Sequence, residues 1–220
     1  MMKVQAVLVA KPRKRRLAFR GNARLPRRKA FGKLRVLLLC FMVLSLFGGV
    51  LLFSQNRSVM TSAFRSYYEA FDASLSATFA ARLAASLLPG AGAGLLIWYF
   101  GLSPAGTAAV LPLLSARCLA LGALSAWLVK NEQGGAAVYF CRLFPAKSLQ
   151  LCGLFLLAYC ACSCSRYFKS CLKQDSFRDK DWFLSYLKAG LPGMGLLVLS
   201  AFCEVLLTQW FGERINLSFY

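Results

Sequence analysis

Histidine is missing from this 220-residue chain altogether, and acidic residues number only 8 against 27 Lys and Arg. Without imidazole the commonest general base and neutral metal ligand are gone. The sparse carboxylates do not cluster, so paired acid–base chemistry has no visible seat. No Gly-Lys-Ser/Thr phosphate loop and no Gly-x-Ser-x-Gly elbow occurs either. Cysteine is present, at 9 residues, yet Cys160, Cys162 and Cys164 merely alternate, unlike the separated pairs of a zinc site. They read as small apolar side chains in a reducing compartment, which leaves no metal, no cofactor and no catalytic constellation to expect. Polar surface is also short: 58% of residues are hydrophobic and 16% charged, too few to cover a soluble domain of this size.

What the chain does have is five apolar blocks, at 36–53, 83–102, 107–129, 148–164 and 189–210. A hydrocarbon core about 30 Å thick takes roughly 20 mostly apolar residues per helical crossing. The fold class that follows is all-α: a polytopic membrane helix bundle of about five transmembrane helices. A cleaved signal peptide over 36–53 is disfavoured, because the leader is too long and 51–57 offers no small-x-small cleavage site.

Charge orients the bundle. From Lys3 to Arg35 the chain is dense in Lys and Arg and has no acid. Such arms bind phosphates nonspecifically in nucleic-acid proteins. Placed directly before an apolar block, the arm instead holds that end in the cytoplasm against anionic headgroups. Membrane lipid, and not nucleic acid, is therefore its expected partner. A fourth crossing then returns the chain to the cytoplasm just before the second basic cluster, Arg166 to Lys188, as the positive-inside rule requires. The expected organisation is a basic cytoplasmic arm (1–35), a first anchor (36–53), an extracytoplasmic amphipathic segment (54–82) and a four-helix membrane domain (83–211). That domain carries a basic cytoplasmic loop (165–188) and leads into an extracytoplasmic tail (212–220).

Four local features bear on function. Phe64, Tyr68, Phe71, Leu75 and Phe79 recur at three and four residues, the stripe of an amphipathic helix on the outer surface. Phe64, Tyr68 and Phe71 serve either a docking partner or the chain's own transmembrane neighbours. Arg117 and Glu204 lie inside apolar blocks, where an unpaired charge is expensive, and pairing them is the natural expectation. The stretch 136–147, with Arg142, Pro145 and Lys147, reads as a bent or re-entrant half-helix or as the kinked start of the fourth crossing. Gly90, Gly92 and Gly94 follow Pro89, while Gly190, Gly193 and Gly195 surround Pro192. This spacing permits close helix packing.

Several stretches carry a family resemblance. LLIWYFGLSPAGTAAVLPLLSARCLALGALSAWL, the turn KNEQGG, then FCRLFPAKSLQL and FLSYLKAGLPGMGLLVLSAFCEVLL resemble the stage II sporulation protein M family. Arg117, Pro145 and Glu204 stand where that family has its basic third helix, its Pro segment and its late acidic residue. The longer arm, and the charges of Arg142 and Lys147 beside the Pro, depart from the pattern. The resemblance implies a noncatalytic scaffold in the mother-cell membrane of an endospore-forming bacterium. Its partners would be extracytoplasmic peptidoglycan hydrolases, a lytic transglycosylase and an amidase/endopeptidase, held at the septum during engulfment. A permease-like transporter subunit is the competing class, with Arg117 and Glu204 lining a path. Against it stand the absence of a detectable internal repeat and the scarcity of polar residues.

Overall fold

A computed structural model describes residues 28–56, 58, 61–62, 64, 78–131, 139–174 and 182–212. The amino-terminal arm to residue 27, the stripe residues Tyr68 and Phe71, the connections 132–138 and 175–181, and the tail from 213 lie outside the described residues. Five long helices follow in order: α1 (Arg28–Gln55), α2 (Phe79–Phe100), α3 (Gly106–Asn131), α4 (Phe144–Gln174) and α5 (Trp182–Gly212). A π turn, Tyr139–Leu143, runs directly into α4. All five helices are long and apolar enough to cross a membrane.

The helices alternate in direction. One end of the bundle, here the distal end, gathers the ends of α1, α3 and α5 and the starts of α2 and α4; the proximal end gathers the reverse. Phe53, Trp127, Leu128 and Leu143 form a buried cluster at the distal end. A larger core runs along the bundle from Leu34 and Leu38 through Ile97, Leu114 and Leu157. α1 lies mainly on α3 and α4 on α5, while α2 sits across both α4 and α5.

Lipid tails are as apolar as Leu, so helices in a bilayer associate through close packing and polar contacts, and small residues decide where backbones can touch. Two reciprocal glycine crossings do this here. A Cβ on Gly49 would meet the Leu119 carbonyl, and one on Gly122 would meet the Leu46 carbonyl, so α1 and α3 cross backbone to backbone. On the other pair, a Cβ at Gly153 would fall 2.9 Å from the Gly193 carbonyl oxygen and one at Gly193 3.1 Å from that of Gly153. Of the other glycines near Pro89 and Pro192, Gly94 lies under Leu197 and Gly190 under Trp98, whereas Gly92 and Gly195 face open space.

The proximal end is fixed by side chains from α4 and α5. The turn between α2 and α3 leaves helix-end groups without intrahelical partners, and the buried Ser165 of α4 supplies them. Its hydroxyl accepts from the Thr107 N–H at 3.3 Å and donates to the Pro104 carbonyl at 3.2 Å. Tyr186 stacks on Trp98 with ring centroids 5.8 Å apart and donates to the Trp98 carbonyl at 2.6 Å.

Two features singled out in the sequence lie at the distal end. The described part of 136–147 is the wound-out head of the fourth helix, a π turn continuous with α4. Pro145 has no N–H to send back to Cys141, so the wider ladder forms where the α-helical bond is missing. Phe64 packs against Trp127, ring centroids 6.2 Å apart, and is partly buried in the distal cluster. Part of its ring is therefore covered by the chain's own transmembrane neighbours.

Candidate functional site

Among the described residues, Glu204 is the one carboxylate inside a membrane-spanning segment. α5 turns it inward until only 5% of it is exposed. A buried carboxylate needs compensating donors, and two other helices provide them. Lys147 of α4 places Nζ 2.9 Å from both carboxylate oxygens. Ser86 of α2 donates its hydroxyl to Oε2 at 2.7 Å. The Lys147 side chain is 15% exposed and that of Glu204 6%, so water and salt screen the pair far less than a surface bridge. Gln150, one turn along α4 from Lys147, is also buried, and its amide Nε2 would lie 2.6 Å from a Cβ at Gly90. Thr208, one turn along α5 from Glu204, is buried as well.

The expected Arg117–Glu204 pair does not form. Arg117 Nη2 donates instead to the Pro89 carbonyl of α2 at 2.7 Å. Depth is the reason. Counted from the distal helix ends at about 1.5 Å per residue, Ser86 lies about 10 Å in, Glu204 about 12 Å and Arg117 about 21 Å. Arg117 thus sits about 9 Å deeper than the carboxylate by the same rise, on a helix that leans toward α1. Lys147 starts near the distal end of α4, directly beside α5, and its chain extends to Glu204. The departure from the family pattern seen in the sequence, a Lys beside the Pro segment, is thus the carboxylate's partner.

Sequence reasoning missed Ser86 and Gln150, which sit in apolar surroundings with no motif around them. Nor did it pair Lys147 with Glu204, although each is countable from the same end of the bundle. What the cluster does chemically is tie α2, α4 and α5 together. Its carboxylate accepts three hydrogen bonds, from the ammonium twice and from the hydroxyl once, and this satisfaction is what makes a buried ionic network tolerable.

Five membrane-crossing helices locked by reciprocal glycine crossings and a buried three-helix polar brace define a polytopic helical membrane protein. More narrowly, the chain belongs to the stage II sporulation protein M family, whose profile matches residues 37–209 and so takes in the bundle from α1 to the end of α5. No curated protein and no solved structure matches the chain.

Proposed function

We propose that this protein is a noncatalytic membrane scaffold of the sporulation engulfment machinery, tethering peptidoglycan hydrolases at the septum of an endospore-forming bacterium. The observation that carries the reading is the family membership, which spans the whole braced bundle and makes this a sporulation-related membrane protein. A bundle braced by the Lys147–Glu204–Ser86 network is suited to holding partners, because a tether raises their local concentration without chemistry of its own.

The orientation in this reading has the amino terminus in the cytoplasm and the carboxyl terminus outside, in the mother-cell membrane. Charge supports it: Lys33, Arg35, Arg166, Lys169 and Lys188 all lie on proximal helix ends, where the positive-inside rule places the cytoplasm. The hydrolases then meet the distal surface, 57–82 together with 130–135. With Phe64 packed on Trp127, Tyr68 and Phe71 are the aromatic anchors this reading assigns to the hydrolases.

The test is genetic and biochemical. Tyr68→Ser combined with Phe71→Ser should leave membrane insertion intact, release the hydrolases from the membrane fraction and stall engulfment with a thick, bulging septum. Normal engulfment in that double variant would remove the docking face. Normal engulfment after deletion of the gene would remove the tethering role and favour a permease-like subunit.

A further inference from the structure

Arg117 is left without a counter-charge by the brace. Its Cα lies about 16 Å from the proximal end of α3 and about 21 Å from the distal end, which is mid-core for hydrocarbon about 30 Å thick. The guanidinium is partly exposed, and among the described residues it bonds only the Pro89 carbonyl. A cation at this depth is costly unless paired, and most of its N–H donors remain to be satisfied.

α2 and α3 are joined at the proximal turn. The distal half of α2 is held by α5, through Phe79 on Phe202 and Ser86 on Glu204, while that of α3 is held by α1 at Gly122. Pro89, Gly92 and Leu96 of α2 and Ala120 of α3 are exposed beside Arg117, and nothing lies within 4 Å of a Cβ built on Gly92.

We propose that this exposed face docks the transmembrane helix of another protein, one carrying an Asp or Glu at mid-membrane depth that pairs with Arg117. Charge complementarity selects this occupant. A second copy of the chain offers no such group, since Glu204 is its one carboxylate within a described span and is already bonded to Lys147 and Ser86. Lipid phosphates sit at the core edges, about 15 Å from the mid-plane. The inference stands on Arg117 and the exposed face beside it, independently of the tethering reading.

The experiment reconstitutes the full chain into phosphatidylcholine vesicles with a designed Leu/Ala transmembrane helix bearing one central Glu, both labelled for energy transfer. Association is expected to be about tenfold tighter for the Glu helix than for its Gln counterpart, at the strong end of interhelical polar contacts in lipid. Arg117→Leu should erase that difference. Arg117→Gln, which keeps a donor for the Pro89 carbonyl, should erase it too and controls for folding. Arg117→Glu should transfer the preference to a helix bearing a central Lys. Equal association of the Glu and Gln helices with the unaltered chain would overturn the proposal, as would a Glu preference that survives in both Arg117→Leu and Arg117→Gln. Replacing the lipid by phosphatidylglycerol should leave the preference in place; its disappearance would assign the guanidinium to lipid phosphate instead. No hydrolase takes part, so the outcome is separate from that of the tethering reading.

Discussion

Removing one partner of the Lys147–Glu204 bridge should cost more than removing both. Lys147→Met strands a carboxylate whose side chain is 6% exposed. It keeps the Ser86 bond, so the expected loss is about 2–3 kcal/mol, within the range for a lone charge placed in the membrane. Glu204→Leu strands a Lys whose side chain is 15% exposed and close enough to the distal end to snorkel, and it also leaves the Ser86 hydroxyl without its acceptor, for a loss of about 2 kcal/mol in all. The double variant leaves only the Ser86 hydroxyl without its acceptor, a loss of about 1–2 kcal/mol. The coupling is therefore about 3 kcal/mol, the upper end for residues in direct contact. Reversible unfolding by SDS in mixed micelles, followed through the chain's 4 tryptophans, measures all four corners of the cycle. A coupling below about 0.5 kcal/mol would refute the brace, because the two charges would then be solvated separately. The companion cycle, Arg117→Leu with Glu204→Leu, should be additive within about 0.5 kcal/mol, since those residues have different partners.

The same unfolding measurement tests the helix crossings and the proximal turn. Leu at Gly49 or at Gly122 should lower stability by about 1–3 kcal/mol, since each new side chain starts on top of a backbone carbonyl. Gly195→Leu, where nothing lies within 4 Å of the added Cβ, should change it by less than about 0.5 kcal/mol; equal losses at both kinds of site would dismiss the crossings. Ser165→Ala should cost about 1–3 kcal/mol, because the Thr107 N–H and Pro104 carbonyl lose the hydroxyl that joins them. An unchanged midpoint would mean that water or lipid headgroups reach the turn.

The architecture was legible because the bilayer imposes one coarse rule on sequence. Spans must be long, apolar and helical, and the five blocks read from the chain correspond to the five helices. Their lengths were not legible. The fourth block was read as 148–164, whereas α4 runs over Phe144–Gln174 and carries Lys147, Arg166 and Lys169. Helices continue past the hydrocarbon into headgroups and water, where polar residues are no penalty, so hydropathy marks the apolar middle and misses the ends.

Pairing between helices was harder to read, for a reason visible at Glu204. Scarcity suggested Arg117 as its partner, since both were charges in apolar blocks. Proximity in an alternating bundle depends instead on depth from a shared end and on which helices adjoin. Lys147 satisfied both conditions but stood outside the apolar block as read, so it registered as an oddity of the Pro segment and not as an intramembrane charge. The glycine crossings obeyed the same logic. Gly90, Gly92 and Gly94 attracted notice by their regular spacing, yet Gly49 and Gly122, each unremarkable within its own helix, bring two backbones into contact because they share a depth on adjacent helices. Spacing along one helix reports that helix's face; contact requires a second coordinate, the register of its neighbour, which no single stretch of sequence contains.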